Sequence, residues 1–201
     1  DFNIAANTLT VNHTVTYPSP GTGTIGGSSA SNLTLGFAGT TGTLNFANTK
    51  RILKDFTQLA SNTTTLGTEL AITAGPNPGR DSIGASATLI TNDNLILRSD
   101  ADGTARIAQL PSTAAITGKV TVERFLPMNA IYDSRRWRLL TAPFKVTNSP
   151  TINAAWQESV SNSNRLAPVN PRPGYGTQIT KSTTWAADGY DQGSTNNPSI
   201  Y

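Results

Sequence analysis

Short apolar segments that recur at a near-constant interval constrain this chain more than any other feature. Leu9-Thr10-Val11, Leu33-Thr34-Leu35, Leu44-Asn45-Phe46, Leu70-Ala71-Ile72, Leu95-Ile96-Leu97 and Ala105-Arg106-Ile107 are each bounded by clusters of Gly, Asn, Ser or Thr. Leu9 to Leu33 and Leu70 to Leu95 are 24 and 25 residues apart, while other separations are about half that. Such spacing predicts an all-β region over 1–113, either a short-stranded β-solenoid with loops of varying length or a β-sandwich in Greek-key order. Two features favour the solenoid. The strands are short enough to be rungs, and Gly, Asn and Thr abound where a coil must turn and where Gly or Asn tolerates left-handed backbone angles.

One stretch admits a helix. Thr49 to Ala60, TKRILKDFTQLA, carries Ile52, Leu53, Phe56 and Leu59 at spacings of three and four, and reads equally as a short amphipathic helix or as another strand pair. Gly75-Pro76-Asn77-Pro78-Gly79 is a loop. Hydrophobic residues make up 36% and charged residues 13% of the 201, so uncharged polar and small side chains must cover most of the surface, as in an extracellular β protein. The net charge of +3 is a small difference between 15 basic and 12 acidic side chains, and gives no footprint for nucleic acid. There is no cysteine, which removes disulfides, thiolate metal sites and cysteine nucleophiles. No apolar run approaches the ~20 residues of a membrane-spanning helix. Asp1 could follow a signal-peptidase cut, so a mature or trimmed chain is expected. Asn197 to Tyr201 reads as the start of a strand, so the polypeptide is expected to continue.

The densest cluster of charge and aromatic rings runs from Thr117 to Phe144. Lys119 to Leu126 alternates polar with apolar side chains and stops at Pro127, while Arg136 to Ala142 does the same before Pro143. The polar connection returns the chain antiparallel, which predicts a hairpin over 117–144 inside a second β module spanning 114–201. Period two puts Trp137, Leu139 and Thr141 on one face and Arg136, Arg138 and Leu140 on the other, with Glu123 in reach of a cross-strand arginine.

Gly118-Lys119-Val120-Thr121-Val122-Glu123-Arg124-Phe125 together with Arg135-Arg136-Trp137-Arg138-Leu139-Leu140-Thr141-Ala142-Pro143 resembles a signature of large secreted surface proteins of the Bacteroidota. The resemblance extends to Leu95–Asp100, Gly103–Ile107, Ala155–Glu158 and Gly174–Thr177, about half the chain. It implies export by the type IX secretion route, a separate C-terminal sorting domain, an extracellular cell-surface location and an extended all-β architecture. Asp81-Ser82-Ile83 matches the tripeptide on which such proteins are O-glycosylated, which implies modification at Ser82. The N-linked sequons at Asn12, Asn32 and Asn62 carry less weight.

Residues able to run a reaction are sparse. His13 is the only histidine, so neither a triad nor a multi-histidine metal site assembles around it. Asp100 and Asp102 ahead of Gly103 have the alternate oxygens that can begin a calcium loop, without its later donors; the competing reading is a tight turn capped by the aspartates. Asp188 and Asp191 invite the same two readings. Trp156, Tyr175, Trp185 and Tyr190 could form a sugar-stacking platform or pack in a core. The arginines around Trp137 could hold anions, or pair across the hairpin while the indole is buried.

The expectation is a non-enzymatic, extracellular structural or adhesive module of a large surface protein. Its open edges would allow self-association into a fibre or contact with other surface proteins. The alternative is a carbohydrate-binding module using Trp156, Trp185 and Tyr190 on glycans. A β-helical glycoside hydrolase or lyase ranks below both, because acid and base candidates are so few.

Overall fold

The computed structural model describes residues 2–16 and 23–125, together with the backbone of 180–181 and 191–192. The chain divides into two compact units, Asp1–Asp133 and Ser134–Tyr201. Among the described residues the first is an all-β solenoid of about 5 turns, without a helix.

Its strands are β1 (Phe2–Asn3), β2 (Thr8–Val11), β3 (Ile25–Gly26), β4 (Asn32–Leu35), β5 (Gly39–Leu44), β6 (Ile52–Leu53), β7 (Asp55–Gln58), β8 (Asn62–Leu66), β9 (Leu70–Ile72), β10 (Arg80–Ile83), β11 (Thr88–Ile90), β12 (Leu95–Leu97), β13 (Arg106–Ile107), β14 (Ala115–Thr117) and β15 (Val120–Val122). They build three parallel sheets: β13-β10-β7-β4-β2, β14-β11-β8-β5 and β15-β12-β9-β6. We call these sheets 1, 2 and 3. From the second coil onward each coil supplies one strand to each. A short parallel pair, β1 with β3, lies at the N-terminal end.

The register follows the spacing in the sequence. In sheet 1, Leu9 pairs with Leu33, Leu33 with Phe56, Phe56 with Asp81 and Asp81 with Ile107, steps of 24, 23, 25 and 26 residues. In sheet 3, Leu70 pairs with Leu95 and Leu95 with Val120. Alternate side chains point inward. Leu33, Leu35, Leu44, Phe46, Leu53, Phe56, Leu66, Leu70, Ile72, Leu89 and Leu95 therefore form one core that no solvent reaches.

Several corners use left-handed backbone. Gly39 (φ 124) and Ser61 (φ 57) turn the chain from sheet 1 to sheet 2 in successive coils, their stacking sealed by the Gly39 N–H donating to the Ser61 carbonyl at 2.9 Å. Ser86 (φ 58) makes the same turn in the next coil, and Asn92, Asp93 and Gly118 turn sheet 2 into sheet 3. Serine at two of these corners departs from the Gly and Asn that the composition led us to expect there.

The stretch 49–60 contains strands, with no helix. Leu53 and Phe56 both point inward because Lys54 lies at a corner between β6 and β7, which resets the alternation. A corner between two strands thus mimics the three-residue spacing of a helix. Leu59, the last member of that apparent stripe, is 45% exposed.

The coil also runs through residue 114. Ala115–Thr117 pairs parallel with β11, and Val120–Val122 with β12. Glu123 reaches back one coil to Arg98, and its second carboxylate oxygen accepts from the Ser99 N–H at 3.1 Å. The return strand of the expected hairpin, Arg136 to Ala142, lies outside the described residues. In the second unit the described pairing is β16 (Thr180–Lys181), parallel to β17 (Asp191–Gln192).

Candidate functional site

The most regular surface of the solenoid is the outward face of sheet 2. Thr40, Thr63, Thr88 and Ala115 stack in one column, and Thr43, Thr65, Ile90 and Thr117 in a second. A β-bulge between Thr40 and Gly42 keeps the first strand in step, sending the extra residue, Thr41, into the core. Strand spacing puts rungs ~4.8 Å apart and the two columns ~6.6 Å apart. The face carries neither a charge nor an aromatic ring. Among the described residues, none of its six threonine hydroxyls is engaged within the protein. It is a small mesh of methyl and hydroxyl groups, suited to surface contact and without the means for acid–base chemistry.

Sheet 1 presents a different exterior. Its outward column Thr8–Asn32–Asp55–Arg80–Arg106 becomes charged toward the C-terminal coils. Asp55 Oδ1 accepts from the Arg80 N–H at 3.0 Å, while the next pair, Arg80 with Arg106, sets two like charges side by side.

Of the polar residues buried inside the coil, Asn62 and Asp81 have opposite surroundings. Asn62, at the corner entering β8, accepts at Oδ1 from Thr64 Oγ1 (2.7 Å), Thr41 Oγ1 (3.0 Å) and Gln58 Nε2 (3.2 Å), and donates through Nδ2 to the Phe37 carbonyl at 3.1 Å. Its amide, the acceptor atom of one expected sequon, is thereby used up in the core. Asp81 is 0% exposed, and neither carboxylate oxygen has a hydrogen-bond partner. Burial pushes its pKa up from 3.8 to about 7, because an apolar interior penalises the charged form.

Ser82, next to Asp81, lies half-buried on the outward side of β10, in a column with Thr57. The folded coil therefore keeps the aspartate of the Asp-Ser-Ile tripeptide out of reach. Asp100 Oδ1 accepts from the N–H groups of Asp102 (2.9 Å) and Gly103 (3.0 Å), and Ser99 bridges antiparallel to Thr104, so Asp100–Gly103 is a tight turn capped by its own carboxylate. Among the described residues, no group of three or more His, Asp or Glu gathers where it could hold a metal ion. His13 is exposed, with its ring 6.4 Å from that of Phe37. Trp156, Tyr175, Trp185, Asp188 and Tyr190 lie outside the described residues, and β17 begins at Asp191.

No protein-family model, curated protein or solved structure matches the chain. The face of sheet 2 and the buried Asp81 are therefore read from their own chemistry.

An apolar cavity of about 370 Å³ opens near the N-terminal end, lined by Phe2, Leu9, Val11, Val15, Gly23, Thr24 and Ile25. Among the described residues that line it, none is ionisable. Among the described residues no helix is long and apolar enough to cross a membrane.

The sequence reading did not single out the threonine columns or the burial of Asp81. Both were marked by the coil period: adding about 25 residues to Thr40 or Phe56 lands on the next member of the stack.

Proposed function

We propose that the chain is a structural and adhesive module of an extracellular surface protein. The uncharged threonine face of sheet 2 is the surface it turns outward. One observation carries this reading: three continuous parallel ladders run along the coil axis, with inward positions filled by the core and the outward positions of sheet 2 held mostly by threonine. In such a ladder the backbone hydrogen bonds lie along the axis, so pulling on the ends loads many of them together. Strand edges at the ends of the coil offer addition of a further chain, which supports assembly end to end. The segment Gly118–Phe125 belongs to the signature that resembles Bacteroidota surface proteins, and it supplies the last of the described rungs of this coil.

Electron microscopy and sedimentation of the full chain over a range of concentrations test assembly. End-to-end polymers or filaments are expected, and dispersed monomers at every concentration would remove the fibre. A glycan array distinguishes the rival carbohydrate-binding reading. Sugar binding lost on replacing Trp156 and Trp185 by alanine would favour the rival over adhesion through sheet 2. Hydrolysis of any member of a polysaccharide panel would overturn the non-enzymatic reading.

A further inference from the structure

We propose that Asp81 makes the seam between the fourth and fifth coils a proton-operated joint, closed while the carboxyl is neutral and opening when it ionises. The argument begins with position. Asp81 occupies the inward column Leu9–Leu33–Phe56–Asp81–Ile107, where every other member is apolar. A carboxylate at 0% exposure with both oxygens unpartnered can be stabilised only by a proton, a counter-charge or water.

Among the described residues no counter-charge faces it. The inward neighbours on the adjoining strands are Phe56 and Gln58 of β7 and Ile107 of β13. Ile83 on its own strand is also inward, and the other two walls of that coil contribute Leu89, Leu95 and Leu97. The ionisable residues of these strands, Asp55 of β7, Arg80 of β10 and Arg106 of β13, occupy the outward column on the far side of the sheet. Arg98, just beyond β12, is paired with Glu123. A proton keeps the buried acid neutral below its raised pKa of about 7, and loss of that proton leaves water as the remaining way to stabilise the charge.

Within sheet 1, the wall that holds Asp81, the two seams beside it differ in strength, which decides where water enters. Toward the third coil, β10 pairs with β7 over four residues, Asp55 accepts from the Arg80 backbone, and Phe56 is fully buried. Toward the fifth coil the pairing covers two residues, Ile107 is only partly buried, and Arg80 stacks on Arg106. Like charges directly opposite on neighbouring strands weaken their pairing. Because solenoid stability is a sum over nearest-neighbour interfaces, the fourth–fifth seam can open while the earlier coils stay closed.

Hydrogen exchange of the full chain, corrected for intrinsic rates, tests this across pH 4–7. Protection of the amides of β13, β14 and β15 should fall by about tenfold per pH unit relative to those of β4 and β8, since each unit releases the proton from the opened coil. Asp81→Asn, which cannot ionise, should abolish that slope. Arg106→Glu should raise protection of the last coil at each pH and keep the slope. Protection independent of pH in the wild type, or an equal slope in Asp81→Asn, overturns the joint. If Asp81→Asn does not fold, carbon-13 titration of the Asp81 carboxyl in the wild type decides: a neutral acid at pH 5 is required, and a carboxylate there overturns the proposal.

Discussion

Asn62 and Asp81 are both polar, both unreachable by solvent and both set on the inner wall of the solenoid, in its third and fourth coils, yet they affect it in opposite ways. Around Asn62, three donors converge on one amide oxygen and the amide nitrogen reaches a carbonyl, so a polar group at a corner becomes a clamp joining β5, β7 and β8. Around Asp81 the inward neighbours are hydrocarbon apart from the Gln58 amide, and neither carboxylate oxygen has a partner. The difference teaches that burial is not what a polar side chain contributes; its partners are. The first site fixes a corner whatever the pH, whereas the second ties the coil to the proton concentration.

The largest expected effect bears on Asp81. Its folded pKa lies above the unfolded value, so between about pH 4 and 7 the unfolded chain has released a proton that the folded chain keeps, and stability falls as pH rises. The loss amounts to at most about 4 kcal/mol by pH 7, with full stability regained below about pH 4. Denaturant titrations should show this slope in the wild type and lose it in Asp81→Asn. Asp81→Leu should be more stable than the wild type at pH 8, and a less stable leucine variant would break the contrast.

Next in size, Asn62→Ala should cost about 3 kcal/mol with no dependence on pH from 4 to 8, because it strands the hydroxyls of Thr41 and Thr64 and the Phe37 carbonyl in the core. Thr41→Val removes one of those donors while keeping the shape, and should cost about 1 kcal/mol. A cost near zero would mean that the hydroxyl does not help hold the corner. Smallest, Ser61→Gly relieves a left-handed serine beside Asn62 and should change stability by less than about 1 kcal/mol, toward greater stability, read as a shift of the denaturation midpoint.

Much of the coil was legible before any coordinates. The pairs Leu9–Leu33 and Leu70–Leu95, found by spacing, are register partners, because a solenoid writes its pitch directly into the chain. Thr49–Ala60 stayed ambiguous since a corner at Lys54 shifts the alternation by one and produces a helical interval. Ala115–Thr117 and Val120–Val122 read as part of a second module over 114–201 because their strand pattern is local, while their partners Thr88–Ile90 and Leu95–Leu97 lie 25 to 27 residues upstream. Asp81 looked like part of a surface tripeptide. Only the register shows that it shares a column with Phe56, while its neighbour Ser82 points the other way. Local composition reports which residues favour turns or strands, but it does not report which wall of a coil a given residue faces.

Cross-strand nuclear Overhauser contacts test the central claim, in-register stacking of the coils, most directly. The account predicts parallel-sheet backbone contacts linking Thr64 with Leu89 and Leu89 with Ile116, repeated one coil apart in sheet 3 between Leu70, Leu95 and Val120. Antiparallel contacts joining sequence-adjacent strands, such as β8 with β9, in place of those links would contradict it.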